Sequence, residues 1–127
     1  MNPSFRAWDK LNNEMYVVEQ INFDCGEFES IGYGITNLRG ADKIELMQST
    51  GLCDKEGTDV FEGDILHHQI QTEYTFIVKY DKDKGRWYGD GLSRTYRIGI
   101  TKEFLPYYKV IGNIYENQEL LEVDNED

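Results

Sequence analysis

The sequence predicts a mostly-β protein, and three observations carry that expectation. Ile, Val and Thr number 24 and the aromatic residues 17, whereas Ala occurs twice in 127 residues. Branched and aromatic side chains lose rotamer freedom on a helix but pack well on a pleated surface, while Ala is the best helix former. Twelve glycines spread along the chain supply turns between short runs. Those runs recur at the spacing of a small barrel.

Taken in order, Phe5 to Trp8 and Met15 to Val18 read as a hairpin around a polar turn, Asp9 to Asn13. Residues 22 to 43 hold Gly26, Gly32, Gly34 and Gly40 among polar spacers, and read as loop with room for one short strand. Ile44 to Gln48 is extended. Asp54 to Gly57 is a turn leading to Val60 and the Glu62-Gly63-Asp64 corner. Ile65 to Gln71 and Tyr74 to Tyr80 form the strongest strand pair. Asp81 to Gly85 turns into Arg86 to Tyr88, and Arg94 to Ile100 and Tyr107 to Ile114 complete the set. Only Glu116 to Val123 reads as helix, about two turns, before an acidic end that should fray. The chain thus divides into an N-terminal hairpin and loop subdomain, residues 1–45, and a C-terminal barrel with its short helix and acidic tail, residues 46–127.

Four segments in order carry a resemblance: RAWDK (Arg6 to Lys10), LMQSTGLCDKEGTDVFEGDIL (Leu46 to Leu66), GRWY (Gly85 to Tyr88) and VIGNIYENQELL (Val110 to Leu121). They resemble the YopX family of phage and prophage proteins over nearly the whole chain. Thr50, Gly51, Leu52, Asp54, Gly57, Val60, Glu62, Gly63, Asp64 and Ile65 match that family's central pattern. Gln118 stands where the family often has Pro, which removes a favoured first-turn helix residue. The resemblance implies a mostly-β protein with a C-terminal SH3-like small barrel and no established activity, and it supplies no catalytic residue. The Glu62-Gly63-Asp64 corner agrees: a glycine between two acids permits a tight turn into a strand, so a structural role is favoured over a catalytic carboxylate pair.

Charge bounds the partners. The chain carries 24 acids against 13 bases, a formal net charge of -11, which repels phosphate backbones and anionic membrane surfaces in general. No apolar stretch approaches the roughly 18 residues of a membrane span, and the first residues lack the regions of a signal peptide. A cytoplasmic protein with no membrane partner is expected.

Residues able to carry chemistry are few. His67 and His68 are the only histidines, and as neighbours on a strand they point to opposite faces. With Cys25 and Cys53 the only thiols and no metal-ligand spacing, neither a zinc site nor a Cys-His nucleophile is supported. The two cysteines are expected to be reduced, unbridged and partly buried. Gly32-Tyr33-Gly34 lacks the third glycine of a phosphate loop and reads as a flexible turn. Asp81 to Gly85 spaces carboxylates as a calcium loop does, but its glycine comes one position early and Leu92 replaces the closing Glu, so it reads as a turn. Ser30, Ser49 and Ser93 have no hydrolase flanks. No catalytic, cofactor-binding or metal-binding residue is assigned.

One segment is electrically distinct. Residues 79 to 102 hold seven bases and three acids, leaving six bases and 21 acids elsewhere. Tyr80, Trp87, Tyr88 and Tyr96 interleave them, as in a groove that stacks bases and contacts backbone. The candidate residues of such a groove are Lys79, Arg86, Trp87, Arg94, Tyr96 and Arg97. Ordinary strand aromatics with charges on the solvent face are the competing and favoured explanation. The leading expectation is therefore a non-enzymatic phage accessory protein, without cofactor, that binds an unidentified protein or its own copies as a homo-oligomer. Single-stranded nucleic-acid binding through residues 79–102 is the alternative.

Overall fold

The computed structural model describes residues 5–25, 27–33, 37–71, 74–92 and 97–121, and its elements are strands joined by short turns. The chain divides into two compact units, Met1–Gln48 and Ser49–Asp127. The mostly-β expectation holds: the described residues include twelve strands and three 3-10 helices.

In the first unit, β1 (Phe5–Asp9) and β2 (Glu14–Val17) form the expected hairpin, with Ala7 opposite Tyr16 and Trp8 opposite Met15. β1 also pairs with the beginning of β6 (Ile44–Cys53), placing Ala7 opposite Leu46. A small core of Ala7, Ile31 and Ile44 is packed by Tyr16, Val18, Ile21 and Leu46.

The expected loop over residues 22 to 43 is corrected by the structure. β3 (Gln20–Asp24), β4 (Glu27–Tyr33) and β5 (Asn37–Gly40) make a three-stranded antiparallel sheet with β4 at its centre. Gly32 is not a breaker: it lies buried inside β4, opposite both Gln20 and Leu38. Pairing along both edges of β4 and full burial of Ile31 outweigh the local cost of glycine in a strand. Gly32-Tyr33 is accordingly strand rather than flexible turn, and Gly34 lies outside the described residues.

The later part of β6 pairs with β7 (Asp59–Phe61) inside the second unit. Then β8 (Asp64–His68), β9 (Thr75–Asp81), β10 (Arg86–Gly91) and β11 (Arg97–Gly99) run as an antiparallel meander. β12 (Tyr108–Asn113) returns to pair with β8, giving the order β11-β10-β9-β8-β12 in one curled sheet. Ile65 opposes Ile77 and Leu66 opposes Phe76, in the strand pair that the sequence marks most strongly. The core holds Val60, Leu66, Phe76, Val78, Ile100, Leu105 and Tyr108. Along β9 burial alternates, with Phe76 and Val78 inward and Lys79 exposed, the period of two that a one-sided sheet requires.

The expected C-terminal helix is also corrected. Gln118–Leu121 is a four-residue 3-10 turn, held by Leu120 N–H donating to the Asn117 carbonyl at 2.9 Å. Two turns of isolated chain are too short to repay helix nucleation, and the tighter i to i+3 bond forms instead. Residues 122–127 lie outside the described residues. Among the described residues no helix is long and apolar enough to cross a membrane.

Candidate functional site

Asp54, Asp64, Asn113 and Asn117 of the segments that carry the resemblance hold turns. Asp54 is buried, and its Oδ1 accepts the N–H groups of Glu56 and Thr58, each at 2.9 Å. Its Oδ2 accepts the Val110 N–H at 2.9 Å, while Lys55 N–H donates to the Tyr108 carbonyl at 3.0 Å. The Asp54–Thr58 turn therefore satisfies backbone groups along the outer side of β12, a sheet edge that would otherwise be open. At the next corner Gly63 has φ of 87°, a left-handed conformation that favours glycine, and Asp64 Oδ2 accepts the Phe61 N–H at 2.8 Å. Asn113 Oδ1 accepts from Tyr115 and Glu116, at 3.0 and 2.8 Å, and Asn113 N–H donates to Asn117 Oδ1 at 3.1 Å. Buried oxygens placed to receive backbone donors fix a loop geometry.

The histidines and cysteines occupy separate settings. His67 Nδ1 lies 3.0 Å from Thr75 Oγ1. His68 Nδ1 accepts the N–H groups of Ile70 and Gln71, at 3.1 and 2.8 Å, and its ring stacks on Tyr107 with centroids 6.0 Å apart. Among the described residues no three His, Cys, Asp or Glu side chains cluster as metal ligands. Both cysteines are free thiols, but both are exposed, which corrects the expectation of partial burial. Each sits beside a turn, where the chain faces water: Cys25 follows β3 and Cys53 ends β6. Cys53 Sγ donates to Asp59 Oδ1 at 3.5 Å. That hydrogen bond first, then local desolvation and the charges of Asp59 and Asp54, hold the thiol above its ordinary pKa. Cys53 also borders a recess of about 560 Å³ with Leu52, Lys55, Lys102 and Pro106, and the raised pKa makes it a poor nucleophile there.

The basic segment resolves into two faces. Arg86 opposes Asp81, Tyr88 opposes Lys79 and Gly99, and Asp90 opposes Arg97, so these residues share one face of β9, β10 and β11. Trp87 points the other way: it packs half-buried against the core and meets Tyr80 edge-on at 4.9 Å. The structure thus brings Lys79, Arg86 and Arg97 together without Trp87, and Arg94 and Tyr96 lie outside the described residues. The aromatic ring that accompanies the bases is Tyr88, with the Arg97 guanidinium carbon 4.7 Å from its centroid. Strand alternation from Arg86 was the signal that could have selected it over Trp87. Lys79 is neutralised by Asp90, Nζ to Oδ2 at 2.7 Å. Lys84, Arg86, Tyr88 and Arg97 border a recess of about 310 Å³ with Asp81, Ile98 and Gly99.

The model of the YopX protein family matches residues 4–122. The chain belongs to the YopX family. Two solved structures are similar to it. Protein EF1440 from Enterococcus faecalis is 31% identical, with a TM-score of 0.73 over 96% of this chain and 99% of that one. The yopX protein from Bacillus subtilis is 19% identical, with a TM-score of 0.59 over 98% and 100%, and shares the fold. No curated protein matches. In this YopX chain the central and final recognised segments build turns, whereas the GRWY segment places Arg86 and Tyr88 at the basic recess.

Proposed function

We propose that this YopX-family chain is a non-enzymatic phage or prophage accessory protein of the host cytoplasm that works by binding polypeptide, its own copies first. One observation carries the reading: in the first unit, strands at sheet edges bear exposed apolar side chains. Val17 on β2 is 75% exposed and Phe23 on β3 is 65% exposed, and both strands end their sheets. Edge strands offer N–H and C=O groups to another strand, and apolar side chains beside them add burial when a second copy pairs there. The buried carboxylates support a non-enzymatic role, since Asp9, Asp54 and Asp64 each receive backbone donors of their own turns. Residues 46–127 act as an SH3-like small barrel, a reading supported by the return of β12 onto β8 after the 3-10 turn Leu105–Tyr107.

Single-stranded nucleic-acid binding through residues 79–102 is the second reading, supported by Lys79, Arg86 and Arg97 on one face. It ranks lower because Asp90 neutralises Lys79 and Trp87 belongs to the core side. Light scattering tests the first reading. It predicts a mass above the 14.9 kDa monomer as concentration rises, with return to the monomer when Val17→Lys and Phe23→Lys are combined. A monomer mass for the unaltered chain at every concentration contradicts it.

A further inference from the structure

Three cationic side chains border one recess, and none is committed to an anion among the described residues. Lys84 comes from the turn after β9, Arg86 from the start of β10 and Arg97 from β11. Among the described residues none of the three forms an ion pair. The one carboxylate of the recess is occupied locally: Asp81 Oδ1 accepts the N–H groups of Asp83 and Lys84, at 3.0 and 3.2 Å. Tyr88 supports the Arg97 guanidinium from below at 4.7 Å, an arrangement that restricts the fork without neutralising it. Opposite Tyr88, Gly99 leaves the floor open, for an added Cβ there would touch nothing within 4 Å.

We propose that this recess binds the phosphate group of a small phosphorylated molecule, a monoester of nucleotide size or less. Arg86 and Arg97 donate to the non-bridging oxygens, Lys84 adds a point charge, and the Tyr88 ring forms the wall for the attached group. Volume limits the occupant: about 310 Å³ lies at the small end of ligand sites. Charge limits it too. The recess gathers three bases and one acid, whereas the whole chain is at -11. Within a Debye length of about 8 Å the local cations outweigh the acids that lie elsewhere on the chain. A recess of this size holds one phosphate group. This site is independent of the edge strands β2 and β3, so either reading can fail alone.

Titration calorimetry on the full chain at low salt tests it, with inorganic phosphate, a nucleoside 5′-monophosphate, the same nucleoside without phosphate, and a short single-stranded oligonucleotide. The monophosphate should bind saturably, inorganic phosphate more weakly, and the bare nucleoside not at all. Arg86→Ala and Arg97→Gln, both at exposed positions, should each weaken the monophosphate by about tenfold, as loss of a charge-assisted fork does. Lys109→Ala, on β12 at the other end of the sheet and outside the recess, should leave it unchanged. Absence of saturable binding by the monophosphate, or binding unaltered in the Arg86→Ala, Arg97→Gln double variant with thermal unfolding preserved, overturns the proposal. So does tighter binding of the oligonucleotide than of the monophosphate, which would assign the face to nucleic-acid strands.

Discussion

Asp54 and Val110 lie 56 residues apart in sequence, and a carboxylate oxygen of the first accepts the backbone N–H of the second at 2.9 Å. The same carboxylate closes its own turn through Glu56 and Thr58. One side chain therefore shapes a loop and covers the edge of the final strand, and it is a charged acceptor removed from water. Asp54→Ala should lower stability by about 2–4 kcal/mol, because buried donors lose a charged acceptor. Asp54→Asn, which keeps one oxygen, should lose less. Urea unfolding checks both, and an unchanged midpoint for Asp54→Ala would remove Asp54 from this role.

Gly112 illustrates a close approach. A Cβ at this position would lie 2.5 Å from Asn117 Oδ1, the atom that accepts the Asn113 N–H. Gly112→Ala should displace Asn117 and cost about 1–3 kcal/mol. Gly99→Ala, where space is open, should stay within about 0.5 kcal/mol. Thermal unfolding of the two variants should separate them in that order.

Much of this architecture is legible in the sequence, and the failures have local causes. The first hairpin, the β8–β9 pair and the turn at Asp81 follow from alternation and turn residues, whose information is local. The β3-β4-β5 sheet escaped because Gly32 signals a break, while the partners that retain it in β4 are supplied by distant pairing. The terminal segment has helical composition but too little length, so it ends as a 3-10 turn at Gln118–Leu121. At the basic face, composition identified the segment, whereas facing decided its members: Arg86 and Tyr88 lie two apart on one side and Trp87 on the other.

Trp87 and Tyr88 should therefore behave differently on truncation. Trp87→Ala removes a ring packed against the core and should cost about 3 kcal/mol. Tyr88→Ala should cost less and should loosen the Arg97 side chain that rests on its ring. Urea unfolding, with side-chain NMR of Arg97, measures both effects. Equal losses of stability would contradict the assignment of the two residues to opposite faces.

The raised pKa of Cys53 has a pH signature. Alkylation follows the thiolate, so modification of Cys53 should rise at higher pH than that of an ordinary thiol. Asp59→Asn removes a neighbouring negative charge and weakens the acceptor that holds the thiol proton, and should shift the alkylation profile to lower pH. Rates read by mass spectrometry on peptides containing Cys53 decide the matter, and an unshifted profile would remove Asp59 as the cause.

Self-association through strand edges is the central functional claim, and hydrogen exchange at two protein concentrations tests it most directly. Pairing at β2 and β3 would protect amides that otherwise face water along those edges. Peptides covering residues 14–17 and 20–24 should exchange more slowly in concentrated than in dilute protein, with residues 75–91 unchanged. Identical exchange at both concentrations, or slowing confined to residues 75–91, would contradict the claim.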